Sequence, residues 1–324
     1  MRRVRVGVVG VGALGRHHAK HFAAQHGAEL IGVFDASSTR AAEVASEVGC
    51  RPFDRLDELL AEVEAVVVAV PTTAHRDVGL ECLGRGVSVL MEKPLAQSLA
   101  EADELLAEAA RHQLVFAVGH IERFNRAVRA AVEYLDQPMF LEGIRLSPFQ
   151  PRGTDVAVVL DLMIHDLDLA NHLIGGAAAT DVRGSGVSVL SPHLDMVNAR
   201  VEFEGGAVAS MTASRVARER VRKLRIFQPS GYFSLDLAEG TGTFMRLREG
   251  WRPGMGTSIA EIVETVPLRA PQADQLGLEL AAFVAAVRGD PAEIVTAQEG
   301  RTALALALEV TASVLRVPVP QIGR

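Results

Sequence analysis

The sequence predicts an α/β protein with two domains, an N-terminal doubly wound parallel sheet and a C-terminal α/β domain with an open, largely antiparallel sheet. Apolar β-branched runs alternate with helix-like segments from the N-terminus to about His120, and this alternation predicts parallel strands with helices on both faces. Beyond that point several strand-like runs follow one another without helices between them, which favours antiparallel pairing. The change of rhythm places the domains at residues 1–122 and 123–324.

Each element of the first domain follows from its apolar pattern. Short continuous apolar runs suit strands that are covered on both faces, and they predict strands at 4–9, 30–34, 65–70, 87–91 and 114–118, with a short extended stretch around Pro52 and Phe53. The intervening segments predict helices at 16–26, 39–48, 56–61, 75–83 and 99–112.

The second domain is predicted in the same way. Strand-like runs lie at 140–146, 181–190, 197–203, 207–215, 223–228, 233–237 and 243–247. Two pairs of turn residues, Gly205-Gly206 and Ser230-Gly231, join neighbouring strands. Helical patterns occupy 157–174, 275–288 and 297–315.

A glycine-rich turn follows the first strand. The sequence Gly10-Val11-Gly12-Ala13-Leu14-Gly15 opens a helix, and Asp35 follows the second strand. Glycines allow a tight turn and a close approach to a pyrophosphate, which binds at the helix N-terminus, while the acid can accept hydrogen bonds from an adenosine ribose. Strand, turn, helix and acid together predict a Rossmann unit that binds NAD, although a purely structural turn is the alternative.

Ligands of such a sheet bind at the carboxyl ends of its strands. The glycine turn, Asp35, the segment 71–75 and Glu92-Lys93-Pro94 are therefore expected to converge there. Pro94 restricts the preceding residue to an extended backbone, which would present the Lys93 ammonium beside the cofactor. The alternative for a lysine at a strand end is an ordinary solvated surface charge.

A second candidate group lies on the helix predicted at 157–174. Asp161 and His165 are four residues apart, so both side chains share one helix face, and Asp168 and His172 extend it. A carboxylate beside an imidazole fixes its tautomer and raises its basicity, which suits proton removal from an alcohol. The alternative is an Asp–His pair that only supports the helix. No metal site is predicted, because zinc-type ligand spacing is absent.

Two further pairs of residues stay open between a functional and a structural role. Arg123 and Asn125, after the sixth strand, can frame a substrate pocket or serve as polar contacts near the domain boundary. Arg145 and Arg152 border a turn-rich segment and suit an anionic substrate, or belong to an ordinary surface loop. His17 and His18 are expected to be helix-face residues and not ligands.

Composition narrows the class of protein. The 324 residues carry a formal net charge of −7, so no basic field would attract nucleic acid or anionic lipid. Two cysteines without paired spacing exclude a disulfide scaffold. No run approaches the length of a membrane span, and the expected location is the cytoplasm.

The chain resembles the glucose–fructose oxidoreductase / inositol dehydrogenase (Gfo/Idh/MocA) family in four motifs that follow in this order: the glycine turn at 10–15, the segment 71–75, Glu92-Lys93-Pro94, and the helix with Asp161 and His165. The resemblance implies a Rossmann domain and a C-terminal α/β domain whose open sheet forms the interface of a homodimer or homotetramer. It also implies oxidation or reduction of a sugar or polyol hydroxyl with NAD or NADP.

The resemblance further implies a role for each matching residue. Lys93 would polarise the reacting hydroxyl, His165 would be the acid/base, and Asp161 would position the substrate or His165. The implied cofactor contacts are Gly10, Gly12, Ala13, Leu14, Gly15, Asp35, Arg40, Pro71, Thr72, His75, Glu92 and Lys93. Asp35 would repel a 2′-phosphate, so NAD is preferred, whereas Arg40 keeps NADP open.

A narrower similarity concerns residues 119–125 and 145–168, which resemble the subgroup that acts on nucleotide sugars, especially the UDP-N-acetylglucosamine 3-dehydrogenases. Two phosphates on such a substrate would explain Arg123 or Arg152, with Asn125, Asp161 and His165 completing the substrate contacts. The alternatives are an inositol or free-sugar dehydrogenase, an NADP-linked carbonyl reductase, and a non-enzymatic sensor of NAD or sugar.

Overall fold

The first sheet of the computed structural model has six parallel strands in the order β3-β2-β1-β4-β5-β6. The structure describes residues 2–150, 156–255 and 258–316. The strands are β1 (Val4–Val9), β2 (Ala28–Phe34), β3 (Arg51–Phe53), β4 (Ala65–Val68), β5 (Ser88–Met91) and β6 (Phe116–Val118). This order confirms the predicted doubly wound sheet, with the reversal of strand order beside β1.

Helices connect these strands. They are α1 (Ala13–Ala24), α2 (Ser38–Val48), α3 (Leu56–Leu60), α4 (His75–Gly84) and α5 (Leu99–Arg111). Local sequence fixes their ends: the Ser37 hydroxyl accepts a hydrogen bond from the Arg40 N–H at the start of α2, and Gly49, at φ 75°, ends the helix. The sheet core is rich in valine, with Val4, Val6 and Val8 fully buried.

The second sheet has eight strands in the order β14-β13-β12-β11-β7-β10-β9-β8. The strands are β7 (Phe140–Leu146), β8 (Ala179–Val187), β9 (Met196–Phe203), β10 (Val208–Ser214), β11 (Val221–Gln228), β12 (Gly231–Asp236), β13 (Thr241–Leu247) and β14 (Val263–Pro267). Neighbours pair antiparallel except β7 with β10. The predicted, largely antiparallel sheet is confirmed, and β14 is a strand that the sequence did not predict.

The helices α6 (Arg126–Val132), α7 (Ile164–Leu173) and α8 (Ile259–Ile262) lie among these strands in the chain. The helix predicted at 157–174 differs at its start, because Val159–Met163 forms a π-helical turn that runs into α7. Helix α7 packs on β7 and β10. The segment with Asp161 and His165 therefore lies on one face of the sheet.

The chain then returns to the first sheet. Helices α9 (Gln275–Arg288) and α10 (Ala297–Leu315) close the described chain. Two compact units result, one of Met1–Ile121 with Ala273–Leu304 and one of Glu122–Gln272 with Ala305–Arg324. The sequence-based division gave all residues after 122 to the second domain, whereas 273–304 group with the first unit. An apolar helix face looks the same in the sequence whichever sheet it covers.

None of the helices described in residues 2–150, 156–255 and 258–316 is both long enough and apolar enough to cross a bilayer.

Candidate active site

The glycine-rich turn between β1 and α1 is tight because its glycines approach other backbone atoms. Gly10 has φ 84°, and a Cβ there would lie 2.8 Å from the Ala69 carbonyl oxygen. A Cβ on Gly15 would lie only 1.8 Å from the Gly10 oxygen. Around Gly12, by contrast, no described atom outside this residue and its two chain neighbours lies within 4 Å of the Cβ position. The turn thus leaves open space beside the first N–H groups of α1, as a pyrophosphate requires.

Asp35 ties the end of β2 to this turn. Its Oδ2 accepts the Val11 N–H at 2.8 Å, and its Oδ1 accepts the Ser37 N–H at 2.9 Å. The Arg40 guanidinium, which is half-exposed, lies 3.2 Å from the same Oδ1. The predicted convergence of the acid and the glycine turn is therefore present. Arg40 therefore contacts the acid that the sequence predicts to distinguish NAD from NADP.

The segment after β4 places His75 differently from Pro71 and Thr72. His75 is 1% exposed, and its ring nitrogens lie 2.9 Å and 3.1 Å from the carbonyl oxygens of Pro94 and Val70. Burial lowers the pKa of His75, against the effect of these carbonyls. The imidazole joins the end of β4 to the turn after β5, while Pro71 is exposed and Thr72 half-buried.

Glu92 and Lys93 follow β5 and are both half-buried. Glu92 Oε2 accepts the Lys93 backbone N–H at 3.2 Å, and Glu92 Oε1 accepts a hydrogen bond from His18 Nε2 at 2.7 Å. Burial raises the pKa of the Glu92 carboxyl, but the His18 hydrogen bond and the charges of His18 and Lys93 outweigh it and bring this pKa below its ordinary value. An ionised carboxylate therefore anchors the backbone of the predicted catalytic lysine.

His18 contacts a predicted site residue, Glu92, and sequence reasoning missed this contact. It was expected on a helix face, yet it is 2% exposed and lies on the buried side of α1. A signal was present in the sequence, since His18 follows the glycine turn at one of the positions of α1 that face the sheet. The second half of the interaction, Glu92, lies 74 residues later.

In the second unit, Asp161 lies in the π-helical turn and His165 at the start of α7. Both side chains are half-buried, which leaves them access to a ligand. Single π-helical turns are frequent at functional sites. The direct contact between Asp161 and His165 stays a prediction.

Arg123 and Asn125 make contacts inside the second unit. Arg123 donates to both carboxylate oxygens of Asp168, at 2.9 Å and 2.6 Å, and lies 3.0 Å from His172 Nδ1. Asn125 is fully buried; it donates to Glu122 and to the Leu237 carbonyl oxygen, while its own oxygen accepts the Ala127 N–H. This is the structural alternative that the sequence left open, and we leave Asn125 out of the proposed site.

Arg145 is held in the same unit by two acids. It is 2% exposed and donates to both oxygens of Asp166, at 2.9 Å and 2.7 Å, and to Glu122 at 2.8 Å. Burial disfavours the cation, but the two carboxylates raise the pKa of Arg145 above its ordinary value. The Arg145 guanidinium is therefore engaged by the carboxylates of Asp166 and Glu122. Arg152 lies outside the described residues.

Within residues 2–150, 156–255 and 258–316, no three His, Cys, Asp or Glu side chains are grouped so that they could hold a metal ion.

Comparison with known proteins adds independent information. A family profile described as "Oxidoreductase family, NAD-binding Rossmann fold" matches residues 4–120, and a Gfo/Idh/MocA C-terminal domain profile matches residues 141–234. The first match confirms the predicted NAD-binding Rossmann fold.

Full-length similarity extends to individual proteins. UDP-N-acetylglucosamine 3-dehydrogenase from Acidithiobacillus ferrooxidans is 41% identical over 97% of this chain and 98% of its own length. A solved structure of that enzyme, GnnA, matches with a TM-score of 0.89 and 40% identity over 97% of this chain and 98% of its own. The scyllo-inositol 2-dehydrogenase (NAD(+)) of Bacillus subtilis is 29% identical over 66% of this chain and 68% of its own.

Proposed function

This chain belongs to the Gfo/Idh/MocA oxidoreductase family, and we propose that it oxidises the 3-hydroxyl group of UDP-N-acetylglucosamine to a ketone, with NAD as the hydride acceptor. The observation that carries this proposal is the full-length similarity to a UDP-N-acetylglucosamine 3-dehydrogenase. The family supports oxidation of a CH–OH group, and the full-length relative favours a nucleotide sugar over a free one.

The first unit fits the cofactor. We propose that the space beside Gly12 and the N-terminus of α1 takes the pyrophosphate, and that Asp35 takes the adenosine ribose. Ala13, Leu14, Pro71, Thr72 and Glu92 complete this proposed cradle. NAD supplies a hydride acceptor when it is bound.

The protein's own residues handle the proton and the charge. We propose that His165 takes the hydroxyl proton while the C3–H electron pair leaves as hydride to the acceptor, so that the former O–H electron pair becomes the second bond of the C3=O group. Lys93 stabilises the negative charge that develops on the oxygen. Asp161 orients His165 or the substrate. The Glu92 carboxylate fixes the backbone from which the Lys93 side chain extends.

A substrate panel tests the reaction. NADH formation is followed with UDP-N-acetylglucosamine, UDP-glucose, free N-acetylglucosamine, myo-inositol and scyllo-inositol under matched conditions. UDP-N-acetylglucosamine should give the highest kcat/KM, and substrate deuterated at C3 should deliver its deuterium to the nicotinamide. A cyclitol as the best substrate would favour an inositol dehydrogenase. Tight NAD binding without turnover of any compound would favour a sensor.

The same assay tests His165. His165→Gln should lower kcat by about two to four orders of magnitude, the usual contribution of a general base, with little change in the dissociation constant of NAD. His193→Gln, on an exposed loop of the same unit, is the matched control and should retain full activity.

Assembly and location are part of the proposal. We propose a cytoplasmic homodimer or homotetramer, as the family resemblance implies. Size-exclusion chromatography with light scattering measures the number of subunits directly.

A further inference from the structure

Two arginines face each other on neighbouring strands of the second unit's sheet. Arg145 on β7 and Arg222 on β11 are directly paired in the antiparallel register. Both guanidinium groups approach one carboxylate oxygen, Glu122 Oε1, at 2.8 Å for Arg145 and 3.4 Å for Arg222. Like charges directly opposite each other destabilise a sheet, so this pair needs anions close by.

The nearby carboxylates accept most of their arginine hydrogen bonds from Arg145. Both oxygens of Asp166 accept hydrogen bonds from Arg145, and Glu122 also accepts one from Asn125. Arg222 has the longer contact, to an oxygen that Arg145 already uses. The Arg222 side chain is 31% exposed, whereas that of Arg145 is 2% exposed, so Arg222 is the more accessible of the two arginines.

The local charge is unbalanced around Arg222. Burial and then the charge of Arg145 lower the pKa of the Arg222 guanidinium, with Arg220 acting in the same direction and Glu122 opposing them. The positive charges of Arg145 and Arg220 act on Arg222 together with the opposing charges of Glu122 and Asp166, so three positive charges are set against two negative ones. An added anion would offset the excess positive charge.

The chemistry of the substrate supplies such an anion. A guanidinium fork binds phosphate oxygens in a bidentate manner. Asp166, the partner of Arg145, directly follows His165 in the chain. The unbalanced arginines therefore belong to the same sheet-and-helix assembly as the proposed base.

We propose that Arg222, assisted by Arg220, binds the diphosphate group of a nucleotide-sugar substrate. This inference rests on the proposed function, because free sugars and cyclitols carry no diphosphate. It replaces the earlier expectation for Arg123, whose guanidinium is engaged with Asp168 and His172. Arg222 and Arg220 thereby contribute to the choice of substrate.

Binding of UDP tests the site without requiring turnover. Isothermal titration calorimetry is performed on the full chain with saturating NAD, so that the cofactor site does not take the nucleotide. Arg222→Met and Arg220→Met should each weaken UDP binding about tenfold or more, as expected for loss of a charge-assisted hydrogen bond. Inorganic pyrophosphate should compete with UDP in the unmodified protein.

A matched control separates this site from general charge effects. Arg225 lies on the same strand as Arg222, points to the opposite face, and pairs with Glu142 at 2.9 Å. Arg225→Met removes the same charge and should leave UDP affinity unchanged. Should Arg222→Met fail to fold, Arg220→Met at the exposed arginine and the charge-preserving Arg222→Lys serve as the test. Arg222→Lys is expected to bind UDP more weakly, because lysine lacks the guanidinium fork.

The outcomes distinguish this site from the proposed reaction. UDP affinities of the Arg222 and Arg220 variants within about twofold of the unmodified protein would overturn the inference, even if UDP-N-acetylglucosamine is oxidised. Arginine-dependent UDP binding without oxidation of any nucleotide sugar would support the site and reject the proposed function.

Discussion

Asp35 is the residue at which cofactor choice is expected to be decided. Its carboxylate accepts N–H groups from the glycine turn and from Ser37, and Arg40 pairs with it. A cofactor with a 2′-phosphate would bring a second anion against this carboxylate, whereas the ribose hydroxyls of NAD can donate to it. Like-charge contacts of this kind cost several kcal/mol.

Replacing Asp35 should therefore weaken the preference for NAD over NADP. Asp35→Ser keeps a small acceptor and releases Arg40 toward a phosphate, so the ratio of kcat/KM for NADP to that for NAD should rise about a hundredfold. Steady-state kinetics with both cofactors measure this ratio. Asp54→Ser, an exposed acid in the same unit, should leave it unaltered; an unchanged ratio in Asp35→Ser would remove Asp35 from cofactor selection.

The buried His18 and the half-buried Glu92 form a pair whose contribution to stability depends on pH. The pKa of Glu92 is lowered in the folded protein. Its ionised form therefore stabilises the fold at pH values above the ordinary glutamate pKa of about 4.3, which applies to the unfolded chain. That stabilisation is lost as the pH falls through the lower, folded-state pKa. Without His18, its hydrogen bond and its charge no longer lower the pKa of Glu92, so this pKa would move upward.

His18→Leu should consequently begin to lose stability at a higher pH than the unmodified protein during acidification. Thermal unfolding followed between pH 7 and pH 4 provides the measurement. His17→Leu alters the exposed neighbour and should follow the unmodified curve. Adding Glu92→Gln to His18→Leu should abolish the extra acid sensitivity, and its persistence there would place the cause elsewhere.

The glycine turn shows what an element can reveal from sequence alone. Turn, helix start and acid are close in the chain, and each has a local steric or electrostatic reason, so the sequence predicted them. The π-helical turn at Val159–Met163 was not predicted. An i→i+5 turn occupies the same apolar pattern as an α-helix, and tertiary packing decides between them.

Two glycines of the turn should respond differently to one methyl group. Gly12→Ala meets no described atom within 4 Å, so the protein should fold normally, but the methyl group would occupy the space proposed for the pyrophosphate. Gly15→Ala would collide with the Gly10 oxygen and should lower the melting temperature.

Calorimetric titration of NAD and thermal unfolding separate these effects. We expect Gly12→Ala to weaken NAD binding about tenfold or more, as when a well-fitted phosphate contact is lost, at an unchanged melting temperature. Normal NAD affinity in Gly12→Ala would contradict the assignment of this space to the cofactor.

At the scale of the molecule, the sequence predicted both sheets but not the return of the chain to the first one. Helix α9 contributes Leu280, Phe283 and Val284 to the core that contains Val4 and Val6. The Val118 N–H also donates to the Val295 carbonyl oxygen at 2.9 Å. Contacts over more than 150 residues leave no local pattern, just as the His18–Glu92 and Arg123–Asp168 pairs left none.

This return makes the first unit discontinuous. Each of the three buried α9 side chains contributes about 1.5–3 kcal/mol, so their sum is comparable with the whole stability of an ordinary domain, about 5–15 kcal/mol. A fragment of residues 1–121 should therefore show no cooperative thermal transition. The same fragment joined to residues 273–304 by a flexible linker should unfold cooperatively and bind NAD.

Calorimetry of the two fragments measures the difference. Replacing Leu280 and Phe283 by Asp in the joined fragment provides the control and should return it to non-cooperative behaviour. A cooperative, NAD-binding 1–121 fragment would show that the original boundary describes an autonomous domain.

Strand β3, at the edge of the first sheet, affects the tendency of the protein to aggregate at high concentration. Strand β3 is only three residues long and carries Pro52 at its centre, paired with Val33 of β2. Proline has no N–H to offer a further strand, and a short edge gives little length for pairing. This edge therefore resists strand-to-strand aggregation between molecules. A Pro52→Val variant would restore an N–H group to this edge strand and should aggregate more readily.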